Sequence, residues 1–152
     1  MLKNKHIIII LVIFLFRIIL PNYLSAFEEV KISSNGKEVC KYTVEIADDH
    51  RERVKGLKGR KAMLENRGML FIFDKIGPKS FWMKDTYLSL DILFINEKGE
   101  IERIYRRAEP CKTEPCPEYI APEDIKFVLE LSAGQCEKNN INKGDSVLIS
   151  SV

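Results

Sequence analysis

The segment from Leu90 to Ile95 constrains the fold more than any other part of this sequence. It is apolar at every position except Asp91, so both faces of a strand formed here would be buried. Alternation places the Asp91 side chain on the same face as Leu93 and Ile95. Because a carboxylate is buried only where partners satisfy it, the segment predicts a covered strand in which Asp91 is either partnered or functional.

Glu130 is a second carboxylate inside an apolar segment, Phe127 to Leu131. Two carboxyl groups that lie close together can share a proton, with one acting as acid and the other as base. The alternative is that each carboxylate pairs with Arg53, Lys84 or Arg60, or accepts backbone N–H bonds at a loop. The residues alone leave both interpretations open.

The aromatic residues Phe81 and Trp82, followed by Met83, precede the central strand, and Trp82 is the single tryptophan of the chain. Such a cluster forms either a ligand-stacking wall or a part of the core. His50 is the one histidine beyond residue 26, and it lies in a charged segment where a solvated side chain is ordinary. The sequence contains no nucleophile elbow, phosphate-binding loop, zinc-protease motif or dinucleotide fingerprint. We therefore predict no metal and no cofactor.

The first 26 residues have the organisation of a secretory signal peptide. Lys3 and Lys5 form a positive start, an apolar run extends from Ile7 to Phe16, and Ala26 ends a small-residue cleavage site. The run is short for a membrane span and is followed by Arg17, although an uncleaved inner-membrane anchor is the alternative. The sequence therefore predicts a periplasmic or secreted protein.

The remaining segment, residues 27–152, is predicted to form a single domain. Cleavage would remove three of 24 basic residues and none of the 22 acidic ones, so 21 basic side chains would face 22 acidic ones. A nearly neutral domain without a basic stripe lacks the features of a phosphate-backbone binder. We expect no nucleic-acid partner, and contact with a membrane only through an uncleaved N-terminal segment.

All four cysteines follow residue 26, and an even number in an exported chain predicts disulfides. The short proline-containing loop between Cys111 and Cys116 favours a local bridge, and Cys40 would then pair with Cys136 by elimination. A four-thiolate zinc site is the alternative, but the paired C-x-x-C spacings of such sites are missing.

Short strands separated by turns dominate the predicted secondary structure. The Asn35-Gly36 pair indicates a hairpin turn, and Asp49 with Glu52 indicates a capping box for one short helix with Val54 and Leu57 on its apolar side. The fold class predicted from this pattern is mostly β (α+β), a small, mainly antiparallel barrel-like or curled sheet with one short helix. The predicted strands are residues 30–32, 38–46, 69–73, 90–95, 100–106, 127–131 and 146–150, with irregular loops over 74–79 and 107–125 and one or two helical turns within 133–139.

A set of motifs between Val44 and the C-terminus resembles the domain of unknown function 192 family. The resemblance implies a small β-rich domain, often exported in bacteria, with no established activity. The motifs that carry it are Arg53 to Arg60, Gly68 to Phe73, Phe81 to Thr86, Leu90 to Ile95, Glu109 to Cys111 and Val128 to Gly134.

The resemblance also implies which residues deserve weight. Lys58 departs from the family pattern, because an apolar residue is common there, and Asp85 stands where an asparagine is common. We take Asp91 and Glu130 as catalytic candidates, and Arg53, Trp82, Lys84, Thr86, Asp91 and Glu130 as ligand-binding candidates. The positions emphasised by the family are Arg53, Gly56, Leu57, Gly68, Met69, Phe73, Trp82, Met83, Thr86, Asp91, Glu130 and Gly134.

Three functional hypotheses follow. The first is an exported domain that binds a small ligand or an envelope partner. The second is a hydrolase that uses Asp91 and Glu130, which requires their carboxyl groups to lie roughly 5 to 10 Å apart in an open cleft. The third is a structural accessory protein without a ligand pocket.

Overall fold

The fold is known from a computed structural model, which describes residues 27–150. The predicted signal peptide, residues 1–26, lies outside the described residues. None of the described helices is long and apolar enough to span a membrane. The elements of the described chain are, in order, β1 (Phe27–Ser34), β2 (Lys37–Ala47), α1 (His50–Lys55), β3 (Arg67–Trp82), β4 (Leu90–Ile95), β5 (Ile101–Ala108), β6 (Glu118–Ser132), α2 (Gln135–Lys138) and β7 (Ser146–Ile149).

The seven strands of residues 27–150 belong to one sheet, in the order β5-β4-β6-β3-β2-β1-β7. Neighbouring strands are antiparallel, except that β2 and β3 are parallel and are connected through α1. Glu100, just before β5, bridges to Ser146 of β7, so the curled sheet brings its two edges together at this point. No ladder within the described residues joins β5 to β7. The predicted class is confirmed as a curled, mainly antiparallel sheet, which is not closed into a barrel and carries a second short helix, α2.

The local signals at the start of the domain are largely confirmed. Gly36, with a φ of 75°, lies in the turn between β1 and β2. The backbone N–H of Glu52 donates to the Asp49 side chain at 2.7 Å, and the Glu52 carboxylate accepts from the Asp49 backbone, which completes the capping box. The predicted apolar side of the helix is only half correct, because Val54 is 55 % exposed whereas Leu57, just beyond α1, is 2 % exposed.

Of the two predicted loops, the one over residues 74–79 is absent and the one over residues 107–125 is shorter. Residues 74–79 continue β3, and the last part of the predicted 107–125 loop already belongs to β6. The ladder between β3 and β6 changes register on both sides of Gly77. Because proline lacks a backbone donor but is tolerated at bulges, Pro78 and Pro122 lie in an irregular part of this ladder without ending either strand.

Alternate residues of β4 divide the core into two clusters. Leu93 and Ile95 belong to cluster 1, to which each of the seven strands of residues 27–150 contributes, so cluster 1 fills the curl of the sheet. Leu90, Ile92 and Phe94 belong to cluster 2, on the opposite face. All six residues of β4 are buried, which confirms the predicted strand with two covered faces.

Candidate functional site

Asp91 lies on the cluster 1 side of the sheet and is fully buried. Its Oδ1 accepts the backbone N–H of Arg107 at 2.9 Å, and its Oδ2 accepts the backbone N–H of Cys136, in α2, at 2.8 Å. Gly134, which precedes α2, has a φ of 89°, a left-handed conformation that glycine adopts without strain. The carboxylate thus ties β5 and the start of α2 to β4, as the loop-capping alternative predicts.

Glu130 lies on β6 between Leu129 and Leu131, which both belong to cluster 1, so its own side chain faces the cluster 2 side. It is 5 % exposed, and its direct neighbours across the ladders are the apolar residues Met69 and Ile92. Within the described residues its carboxyl group has no hydrogen-bond or ion-pair partner, and burial alone raises the pKa of Glu130 to about 8. At neutral pH the group is therefore mainly an uncharged carboxylic acid.

The structure does not bring Asp91 and Glu130 together. Asp91 is aligned with Leu131 and Glu130 with Ile92, and side chains of successive residues point to opposite faces of a sheet. The two carboxyl groups are therefore separated by the sheet and cannot share a proton. A two-carboxylate mechanism has no geometric basis in this fold.

None of the three proposed cationic partners pairs with either carboxylate. Arg53 donates to the backbone oxygens of Asp48 and of Ile72, the latter at 2.7 Å, and so fastens α1 to β3. Arg60 pairs with Glu45, and Lys84 pairs with Glu114 at 2.5 Å. Because these cations are engaged elsewhere, the Glu130 carboxyl stays unpaired.

A cavity of about 300 Å³ lies beside Glu130, between α1, the turn that follows it and the end of β3. Its floor includes Phe71 and Phe81, whose rings meet edge to face at a centroid distance of 5.0 Å. Gly56 ends α1 with a φ of 46°, and a Cβ at this position would come within 3.3 Å of the Phe71 ring. The turn after α1 therefore packs directly against the aromatic floor.

Trp82 forms part of the mouth of this cavity and is 50 % exposed. The ammonium groups of Lys58 and Lys84 lie 5.8 Å and 5.7 Å from the centroid of its ring, a separation at which a cation is attracted to an aromatic face. Thr86 also lines the cavity and is 7 % exposed. The mouth is thus cationic and aromatic, whereas the interior holds Glu130.

Of the six predicted ligand-binding residues, five line one cavity and Asp91 lies on the other side of the sheet. Of the three residues predicted to form either a ligand-stacking wall or a part of the core, Phe81 and Trp82 line the cavity, whereas Met83 is buried in cluster 2. The ligand-binding candidates that line the cavity are Arg53, Trp82, Lys84, Thr86 and Glu130.

Sequence reasoning missed Phe71, Phe73 and Lys58 as cavity residues. Phe71 and Phe73 share one face of β3 by alternation, which is a signal that could have grouped them. Lys58 also carried a signal, because a charged residue replaces an apolar one there. The sequence did not indicate that α1 lies over the end of β3.

The cysteines are only partly as predicted. The Cys111–Cys116 disulfide is present, with a Cα–Cα distance of 5.5 Å. The predicted Cys40–Cys136 bridge is wrong, because both of these thiols are free. Cys136 is fully buried in cluster 1, where it behaves as a small apolar side chain, and burial, together with the charge of Asp91, raises the pKa of its thiol. Among the described residues, no group of three or more His, Cys, Asp or Glu side chains is arranged to hold a metal ion.

Comparison with known proteins gives a family match over most of the chain. The model of the domain of unknown function 192 family, described as "Uncharacterized ACR", matches residues 30–149. No curated protein matches the sequence.

Two crystal structures share the fold. A protein of Sinorhizobium meliloti 1021, described provisionally as a transcription regulator, is 36 % identical, with a TM-score of 0.77 over 84 % of this chain and 97 % of its own. A protein of unknown function from Novosphingobium aromaticivorans DSM 12444 is 25 % identical, with a TM-score of 0.76 over 84 % of this chain and 89 % of its own.

Proposed function

The chain belongs to the domain of unknown function 192 family, for which no activity is described, and we propose its function from its own site. This protein is an exported domain that binds a small ligand in the cavity beside Glu130. The cavity volume of about 300 Å³ is at the lower end of the range for ligand pockets. The ligand is either a free small molecule or a small group presented by an envelope partner.

One observation carries this proposal: the Glu130 carboxyl faces the cavity, where the residue is 5 % exposed, and no protein group among the described residues pairs with it. No side-chain nitrogen or oxygen of the described residues is both fully buried and without a hydrogen bond, so the Glu130 carboxyl keeps contact with the solvent of the cavity. A ligand that hydrogen-bonds Glu130 would replace this solvent. The aromatic floor would supply apolar contact for the rest of the ligand.

Export is supported by the signal-peptide pattern of residues 1–26 and by the Cys111–Cys116 disulfide, since disulfides persist mainly in oxidising compartments. Intact-mass measurement of the protein recovered from its native compartment tests this part. We expect a mass that lacks residues 1–26. A mass that retains them would indicate a membrane-anchored protein instead.

Other functions are less well supported by the site. The hydrolase hypothesis loses its basis with the separation of Asp91 from Glu130. The description of one relative as a transcription regulator suggests nucleic acid, but residues 27–152 carry 21 basic and 22 acidic side chains, which gives no basic footprint. A purely structural role would not account for an open cavity that is lined by five basic side chains and by Glu130.

Trp82 provides a direct test, because it is the single tryptophan and lines the cavity. We would screen neutral, anionic and cationic fragments, together with glycans and soluble peptidoglycan fragments, by Trp82 fluorescence and by saturation-transfer NMR. At least one class should give saturable binding by both readouts.

A matched pair of variants at Ser80 provides the control. Ser80 is an exposed cavity residue, so Ser80→Phe should fill the mouth without disturbing the core, whereas Ser80→Ala should leave the mouth open. Binding that survives in Ser80→Ala and disappears in Ser80→Phe supports the proposal. Absence of binding in all compound classes, or equal binding to both variants, would refute it.

A further inference from the structure

The basic residues around the cavity outnumber the acidic ones. Glu130 is the one acidic residue among the lining residues of this described cavity. The neutralisation of the basic residues is incomplete: Arg53 lies 3.4 Å from Asp74, Lys84 pairs with Glu114, and Lys58 has no ion pair within residues 27–150. The basic lining residues are His50, Arg53, Lys55, Lys58 and Lys84.

Lys58 and Lys84 are placed to act together at the mouth. Both ammonium groups lie within 6 Å of the centroid of the Trp82 ring, at 5.8 Å and 5.7 Å. The turn that carries Lys58 is fixed to the turn after β3, because the backbone N–H of Gly59 donates to the backbone oxygen of Asp85 at 2.8 Å. A negatively charged group beside Trp82 would therefore meet Lys58, which has no ion pair within residues 27–150, and Lys84, which it would share with Glu114.

The inner end of the cavity has the opposite character. Burial keeps the carboxyl of Glu130 uncharged at neutral pH, since it raises the pKa of this group to about 8. The charged groups on the elements that surround Glu130 are the basic lining residues of α1, of the turn after α1 and of the turn after β3. The neighbours of Glu130 across the ladders, Met69 on β3 and Ile92 on β4, are apolar. An uncharged carboxyl both donates and accepts a hydrogen bond, so its natural partner is a neutral hydroxyl.

We propose, building on the binding function above, that the cavity selects small organic anions that have a planar apolar body, an acidic group for Lys58 and Lys84, and a neutral hydroxyl for Glu130. The planar body would lie on the aromatic floor formed by Phe71 and Phe81. The competing class is a cationic amine that pairs with an ionised Glu130. The experiment below separates these two classes.

Three matched probes test the selection: 4-hydroxyphenylacetate, phenylacetate and tyramine. The first carries both the acid and the hydroxyl, the second lacks the hydroxyl, and the third replaces the acid by an ammonium group. We expect 4-hydroxyphenylacetate to bind about tenfold more tightly than phenylacetate, which is the effect of about one hydrogen bond. Tyramine should not displace it in Trp82 fluorescence or NMR titrations.

Charge-neutral variants test the role of the mouth. Lys58→Gln with Lys84→Gln should weaken 4-hydroxyphenylacetate binding about tenfold at low salt, as expected for two partly exposed ion pairs. Lys37→Gln with Lys98→Gln removes the same charge from exposed positions outside the cavity lining and should leave binding unchanged. An equal loss in both double variants would overturn the assignment.

The pH dependence of binding tests the contact between the probe hydroxyl and Glu130. Binding to the wild type should weaken as the pH rises through about 8, where Glu130 ionises, although the probe phenol remains neutral until about pH 10. Glu130→Gln stays neutral and should retain binding at the higher pH, whereas Glu130→Leu should lose the preference for the hydroxyl at every pH. A wild type and a Glu130→Gln variant with the same pH profile would contradict the proposed contact.

The outcomes separate this inference from the function on which it rests. Binding of cationic or neutral fragments in preference to anions, at a site blocked by Ser80→Phe, would overturn the anion selection and leave the binding function intact. A failure of every class to bind would overturn both.

Discussion

Asp91 and Glu130 are two buried carboxyl groups on adjacent strands, yet they differ in their hydrogen-bond partners and in the face of the sheet on which they lie. Asp91 is fully buried and accepts two backbone N–H bonds, from Arg107 and Cys136. Glu130 is 5 % exposed and has no partner among the described residues. The first therefore holds together the cluster 1 side of the sheet, whereas the second lies beside an open cavity on the cluster 2 side.

The comparison teaches that burial alone does not identify a functional carboxylate. Both residues interrupt an apolar strand, and both would be counted as buried charges in a sequence. The difference lies in what the neighbouring elements offer: β5 and the start of α2 present backbone donors to Asp91, but the elements around Glu130 present apolar side chains and a cavity. The two carboxyl groups are thus distinguished by their hydrogen-bond partners and not by their burial, since Asp91 has two partners and Glu130 has none among the described residues.

The largest effect should come from Asp91→Asn. An asparagine has one oxygen for two buried donors, and its NH₂ group would face the backbone N–H of either Arg107 or Cys136. One charge-assisted hydrogen bond is lost, the other becomes a weaker neutral one, and a donor is left unpaired, which together should lower the free energy of unfolding by about 4 kcal/mol. Urea denaturation with a constant m value measures this loss.

Asp85→Asn is the matched control for this substitution. Asp85 is exposed and has a φ of 58°, a conformation that asparagine tolerates well. We expect a change below about 0.5 kcal/mol for this surface position. Similar stabilities for the Asp91 and Asp85 variants would show that the two buried bonds contribute little.

Glu130→Gln should have an effect of opposite sign. Burial raises the pKa of Glu130 from 4.5 to about 8, so between these values the native state binds more protons than the unfolded state, and the stability of the wild type falls as the pH rises. The variant lacks this dependence and should be about 3 kcal/mol more stable than the wild type near pH 7, with little difference near pH 4.

Unfolding free energies at several pH values would measure this divergence. Glu97→Gln provides the control, because Glu97 is exposed and makes no hydrogen bond or ion pair through its side chain within residues 27–150. That variant should follow the wild type across the range. A constant difference between Glu130→Gln and the wild type at all pH values would mean that Glu130 is ionised in the native state.

Removing the disulfide should have the smallest effect. The Cys111–Cys116 bridge closes a loop with a sequence separation of 5, so its contribution through chain entropy is about 2 kcal/mol. Cys111→Ser with Cys116→Ser should lower thermal stability by that amount. Because the backbone N–H of Cys111 donates to the backbone oxygen of Met83 at 3.2 Å, the local change should appear near the cavity and not around Asp91.

Amide hydrogen exchange on this double variant distinguishes a local change near the cavity from a change around Asp91. We expect faster exchange in residues 109–117 and around Met83, with the Cys136 amide still protected by Asp91. Equal loss of protection on both sides of the sheet would show that the bridge supports the whole fold.

The sequence was most informative where local rules act. The turn at Gly36, the capping box of Asp49 and Glu52, and the buried strand Leu90–Ile95 all follow from propensity and alternation. The short spacing of Cys111 and Cys116 likewise predicted their bridge. The predictions failed where a distant element intervened, as in the 74–79 segment, which pairs with β6 through a bulge.

The sequence by itself determined the mostly β class and the burial of Asp91 and Glu130, because alternation along a strand is a local property. Only the tertiary structure decided that these carboxyls lie on opposite faces, since that depends on the register between β4 and β6. It also decided that the thiols of Cys40 and Cys136 remain free and that Lys58 meets Trp82, because both results depend on how helices and turns dock onto the sheet. Docking is set by the summed packing of many side chains, which no single motif encodes.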